Sequence, residues 1–147
     1  MRQIIDTLIQ LQRLRDRSVK DMTVALAKQQ QVCLGYENNI KALGYLIQKT
    51  RVGDAAPSAE SLRNVAGYKG TLRTVIAWQE QEKTLAKMKE GRIQKHLVAA
   101  ACQEKVVAIT LEEKRQERDD AAAVKEQKAV DEIATLCWLR HKVLEQS

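Results

Sequence analysis

Apolar residues recur through the first third of this chain at alternating steps of four and three. That spacing constrains the fold more than any other feature. The stripe runs Ile4, Leu8, Leu11, Arg15, Val19, Met22, Leu26, Gln29, Cys33, Tyr36, Ile40, Leu43 and Ile47, with only Arg15 and Gln29 polar. A helix turns every 3.6 residues, so a seven-residue repeat lines one narrow face. Sustained this long, it reads as a coiled-coil seam rather than the broader face of a globular helix. Two consecutive steps of four, from Leu11 to Arg15 to Val19, read as a stutter where the coil locally unwinds.

The stripe ends at the one strong interruption, Arg51-Val-Gly-Asp-Ala-Ala-Pro-Ser-Ala-Glu60. Gly53 can close a helix in the left-handed conformation, and Lys49 and Arg51 suit the negative end of its dipole. Pro57 is the sole proline. Ser58 is placed to cap a second helix, with Glu60 in its first turn. The expectation is a single coiled-coil domain over 1–147, with helix 1 over about 3–51, a loop over about 52–58 and helix 2 over about 59–144. A second stripe follows the break: Leu72, Ile76, Gln79, Lys83, Ala86, Lys89, Ile93, Leu97, Ala100, Glu104, Val107 and Leu111. A short loop makes the helices antiparallel, so facing residues keep a constant index sum. Leu43 with Leu72, Tyr36 with Gln79, Met22 with Ile93, Leu8 with Val107 and Ile4 with Leu111 all give 115. The polar middle, with Gln29, Lys83 and Lys89, is expected to be the loosest part. The fold class is therefore all-α, a long antiparallel two-helix coiled-coil hairpin. A bend at Gly67, Gly70 or Gly91, folding the chain into a three-helix bundle, is the alternative.

In this register the second helix outruns the first. Glu112 to Asp120 holds no apolar residue, and apolar character returns at Ala122, Val130, Ile133, Cys137, Leu139 and Leu144. About 36 residues form a C-terminal helical overhang, roughly 54 Å long. Its apolar residues have no partner within the chain and call for another protein.

Composition supports helices and removes most enzyme classes. Aromatic residues are 3% of the 147, Phe is absent, and there are six glycines and one proline. That is too few strand and turn formers for a β-sandwich, a barrel or a doubly wound α/β fold. The net charge of +6 favours acidic partners but is a weak signal for nucleic acid. No apolar run approaches the roughly 18 residues of a membrane span, and residues 1–14 lack the apolar stretch of a secretory leader. A cytoplasmic setting is expected. Three cysteines, Cys33, Cys102 and Cys137, fit reduced thiols.

No catalytic constellation stands out. His96 and His141 lie far apart without metal-ligand spacing, and the three thiols are scattered. Cys33 and Cys102 miss each other in the register by roughly 30 Å, which forbids a disulfide. Gly67-Tyr-Lys-Gly70 only superficially resembles a phosphate loop. The acidic run 112–120 is interleaved with Lys114, Arg115 and Arg118 and reads as a solvated face. Arg13, Arg15, Arg17 and Lys20 also read as a solvated face, and could meet an acidic partner at the open end. No enzyme activity, cofactor, metal or small-molecule substrate is expected. A generic basic scaffold or a nucleic-acid-binding hairpin stays as the alternative, although a stacking groove is missing.

Three stretches resemble a known family: Cys33-Leu-Gly-Tyr-Glu-Asn-Asn-Ile-Lys-Ala-Leu-Gly-Tyr-Leu-Ile-Gln-Lys-Thr-Arg51, Leu62-Arg-Asn-Val-Ala-Gly-Tyr-Lys-Gly-Thr-Leu-Arg-Thr-Val-Ile-Ala-Trp-Gln79 and Glu126-Gln-Lys-Ala-Val-Asp-Glu-Ile-Ala134. Together they resemble the flagellar FliJ family, the stalk of the type III export ATPase, over nearly the whole length. The resemblance implies a non-enzymatic coiled coil that enters a hexameric export ATPase ring. It also implies contact with the cytoplasmic part of the membrane export gate and with export chaperones, at the inner membrane of the flagellar base. By that likeness, ring contact falls on Arg13, Arg15, Arg17, Gln127, Lys128, Asp131 and Glu132. Gate contact falls on Leu43, Leu46, Leu72, Val75 and Trp78. For Leu43 and Leu72 the seam is the stronger reading. The equivalent stalk of a virulence injectisome fits the same residues.

Overall fold

The computed structural model describes residues 2–50 and 58–146. They form two α-helices, α1 (Arg2–Lys49) and α2 (Ala59–Gln146), packed against each other as a hairpin, and no strand occurs among the described residues. Neither helix contains a proline, and both are rich in Ala, Leu, Gln, Lys and Glu, which lose little freedom in a helix. Threonines within them bond back to the carbonyl four residues earlier, as Thr23 does to Val19 and Thr84 to Glu80, so their hydroxyls do not compete with the helix.

Ser58 caps α2 as its sequence position predicts. Its Oγ accepts the Ser61 backbone N–H at 3.0 Å, and its carbonyl accepts the Leu62 N–H at 3.0 Å. Lys49 occupies the last turn of α1. Gly53, Arg51 and Pro57 lie outside the described residues. Gly67, Gly70 and Gly91 are helical, and no glycine among the described residues has a positive φ. The three-helix alternative is thereby removed.

Contacts divide the chain into two units, each built from a stretch of both helices. In the unit Ser18–Ala100, Gln29, Cys33, Leu72, Ala86 and Ala100 are buried. The Gln29 amide Nε2 donates to the Ala86 carbonyl at 2.9 Å, a pair whose indices keep the predicted sum. Half-buried Met22, Leu26, Tyr36, Ile40, Leu43 and Ile47 face half-buried Ile76, Gln79, Lys83, Ile93 and Leu97. One expected seam member fails here. Lys89 is exposed and the half-buried Glu90 takes its place, because the step from Ala86 is four rather than three.

In the unit Met1–Arg17 with Ala101–Ser147, Ile5, Val107 and Leu111 are buried. The sequence placed Ile4 on the seam, but Ile4 is half exposed and Ile5 is 3% exposed. A straight helix drifts against a seven-residue repeat, and by its end the drift selects the neighbouring residue. Burial along α2 stops at Lys114 and Arg115. Every described residue from Gln116 to Gln146 is exposed.

Candidate partner-docking surfaces

Near the loop, Leu46 and Trp78 are exposed while Leu72 is buried and Leu43 and Val75 are half-buried. The seven-residue repeat explains the split. Leu43 and Leu72 occupy the seam, whereas Leu46 and Trp78 stand beyond it and leave large apolar surfaces open to a partner. Tyr45 is also exposed, with the Lys49 ammonium 5.3 Å above its ring.

The basic set at the start of α1 does not form one face. Arg13 and Arg17 are exposed and four residues apart, hence neighbours on the helix surface. Arg15 points the other way, into the seam at the stutter, half-buried, where its Nη1 donates to Gln103 Oε1 at 2.8 Å. Its Nε is buried without a hydrogen-bond partner among the described residues. Arg15 is thus held by α2.

Gln127, Lys128, Asp131 and Glu132 are all exposed. Gln127 Nε2 donates to Asp131 Oδ1 at 3.0 Å, one helical turn away. Position 127 lies 24 residues beyond Gln103, roughly 36 Å along α2. The residues assigned by resemblance to one ring contact are therefore two separate patches. Beside the second patch runs a row of exposed apolar side chains, Ile133, Leu136, Leu139, Val143 and Leu144. Trp138 stands next to them with Lys142 Nζ 4.7 Å above its ring. Such a face costs free energy to leave in water, about 25 cal/mol per Å² of apolar surface.

A polar group in the hairpin's flank escaped the sequence reading. Cys33 is 2% exposed. Lys87 Nζ bridges Glu37 at 3.3 Å and Glu90 at 4.0 Å. Burial pushes the Cys33 thiol up, and the adjacent Glu90 carboxylate raises it further. Lys87 is pushed up by its hydrogen bond to Glu37. A deprotonated, nucleophilic thiol is therefore disfavoured here. All three cysteines are free. Among the described residues no cluster of His, Cys, Asp and Glu could hold a metal ion.

The geometry offers exposed apolar surfaces on a helical hairpin. A family model described as the flagellar FliJ protein matches residues 5–142, a span that takes in most of both helices.

This chain belongs to the flagellar FliJ protein family.

No curated protein and no solved structure matches it. As a FliJ-family member it is a component of the flagellar export apparatus, in a family of non-catalytic stalk components. No helix among the described residues is long and apolar enough to cross a membrane. Within this FliJ-family chain, the Gln29 bond was within reach of the sequence, because the register already set position 29 opposite Ala86. Cys33, Glu37, Lys87 and Glu90 come together only once Glu90 replaces Lys89 on the seam.

Proposed function

We propose that this chain is the stalk and coupling component of the flagellar type III export ATPase, docking in the hexameric ring and contacting the export gate and export chaperones. The observation that carries the reading is the continuation of α2 past Arg115 as a wholly exposed helix with an apolar row over 133–144. A helix of this kind needs a partner to cover it, and family membership makes the export ATPase the partner of choice. Ring contact falls on this segment with Gln127, Lys128, Asp131 and Glu132, and on the Arg13 and Arg17 pair, while Arg15 serves the seam. Gate contact falls on Leu46 and Trp78, with Val75 at their edge. Leu43 and Leu72 hold the helices together behind them. The setting is the cytoplasmic side of the inner membrane at the flagellar base.

The test is hydrolysis by the purified cognate ATPase, with and without this protein. Addition is expected to raise the hydrolysis rate or hexamer formation. The variant Leu136→Asp/Val143→Asp is expected to lose the effect while keeping its helicity, because both side chains are exposed. An ATPase unchanged in rate and assembly by the unaltered protein would remove the proposal.

A further inference from the structure

The two flanks of the seam in the Ser18–Ala100 unit differ in chemistry. On one flank, buried Cys33 sits beside Lys87, which pairs with Glu37 at 3.3 Å and approaches Glu90 at 4.0 Å. On the other, Val32 and Tyr36 of α1 and Leu85 and Met88 of α2 wall a groove. Its floor is Gln29 and Ala86. The depression follows from those two residues. Ala86 is small, and Gln29 reaches across it to the Ala86 carbonyl, so no large apolar side chain fills the layer. Val32, Leu85 and Met88 stand 46%, 59% and 58% exposed around this trough.

Charge along the groove is uneven. Glu82 is half-buried at one end, whereas Lys89 and Arg92 are exposed at the other. Neither Lys89 nor Arg92 has an ion-pair partner among the described residues. Lys87, on the opposite flank, has two. From Leu85 to Arg92 is about two helical turns, roughly 10 Å. An amphipathic helix with apolar residues at i, i+3 and i+7 can lay that face on Val32, Leu85 and Met88. Carboxylates at one of its ends would then meet Lys89 and Arg92, where a partner of the wrong sign is repelled.

We infer that this groove docks an amphipathic partner helix whose apolar face is flanked at one end by a carboxylate pair, forming a local three-helix layer. The site is separate from the ring and gate surfaces above and does not rest on their assignment. The probe is a synthetic helical peptide of about 18 residues, long enough to be helical in isolation with good formers. It carries Leu at the stated spacing and two Glu at one end, with a twin in which Lys replaces both Glu. Binding to the 147-residue chain is read by fluorescence anisotropy.

The acidic peptide is expected to bind at least about tenfold tighter than its twin, and added salt weakens it. Leu85→Ser/Met88→Ser is expected to cut that binding at least about tenfold, and Lys89→Glu/Arg92→Glu to reverse the preference between the peptides. All four residues are exposed, and unchanged circular dichroism confirms that each variant is folded. Equal binding of the two peptides, or binding of neither, overturns the inference. So does binding that survives Leu85→Ser/Met88→Ser and disappears in Leu136→Asp/Val143→Asp, which moves the site to the C-terminal row. Concentration-dependent doubling of mass that Leu85→Ser/Met88→Ser abolishes, without peptide binding, assigns the groove to a second copy and also overturns it.

Discussion

Gln29 offers the sharpest energetic test of the seam, because its environment fixes the sign of two opposite substitutions. The side chain is 7% exposed and its amide donates to the Ala86 carbonyl at 2.9 Å. That carbonyl lies inside α2 and has a second lone pair for the helix's own N–H, so removing the amide does not orphan it. The bond is therefore worth its net value, about 1 kcal/mol. In Gln29→Ala that bond disappears together with one buried methylene at about 0.8 kcal/mol, and the cavity left by the carboxamide costs about 1 kcal/mol. Release of a restrained long side chain returns about 1.5 kcal/mol. The expected loss is about 1 kcal/mol. In Gln29→Leu the same bond disappears, but burying the new side chain contributes about 1.5–3 kcal/mol, in place of the one methylene. The Leu variant is expected to equal the parent or exceed it by about 1 kcal/mol, and to exceed the Ala variant by about 2 kcal/mol, at the low end of Leu-to-Ala differences in cores. Urea unfolding followed at the helical circular-dichroism band measures all three, with a common slope showing that the same surface is exposed. A Leu variant less stable than the Ala variant would refute the reasoning, because it would place position 29 outside an apolar seam.

Other predictions follow from the same geometry. Cys33 has its thiol raised above 9.0 by burial and by Glu90. A group raised in the folded state contributes stability below its unfolded value and loses it as pH climbs through the folded one. Unfolding free energy should thus fall as pH rises beyond 9.0, and Cys33→Ala should flatten that fall; an identical alkaline slope in the variant contradicts the assignment. Lys87, raised by Glu37, loses its contribution in the same direction at still higher pH. Ser58→Ala removes the acceptor for the Ser61 N–H and should cost about 1 kcal/mol, seen as faster amide exchange in the first turn of α2. Unchanged exchange there would mean the cap is dispensable.

The seam was legible because a coiled coil writes its contacts into a repeat. Twelve of thirteen α1 positions and eleven of twelve α2 positions in the expected stripes are buried or half-buried. The two exceptions, Ile4 and Lys89, come from phase. A helix repeats at 3.6 residues and the pattern at 3.5, so a one-residue slip appears at a helix end or where polar residues weaken the repeat. Ser58 was legible as a cap because its hydroxyl needs only local geometry. The surfaces were harder. Arg13, Arg15 and Arg17 look like one basic cluster in sequence, yet 100° per residue turns Arg15 into the seam and leaves the other two outside. The groove beside Gln29 depends on which small residue meets which polar one across the interface, and on which flank the apolar neighbours emerge. No single-helix pattern records that.

The claim that α2 ends as an uncovered helix awaiting the export ATPase is tested most directly by amide hydrogen exchange over residues 116–146, alone and with the ATPase ring. In the free protein this stretch should exchange faster than the buried positions around Val107 and Leu111, since local opening is easiest where apolar contacts are fewest. Adding the ring should slow exchange across 127–144 and leave the middle of the hairpin unchanged. Protection of 116–146 that is already high in the free protein, or that does not change with the ring present, would contradict the account.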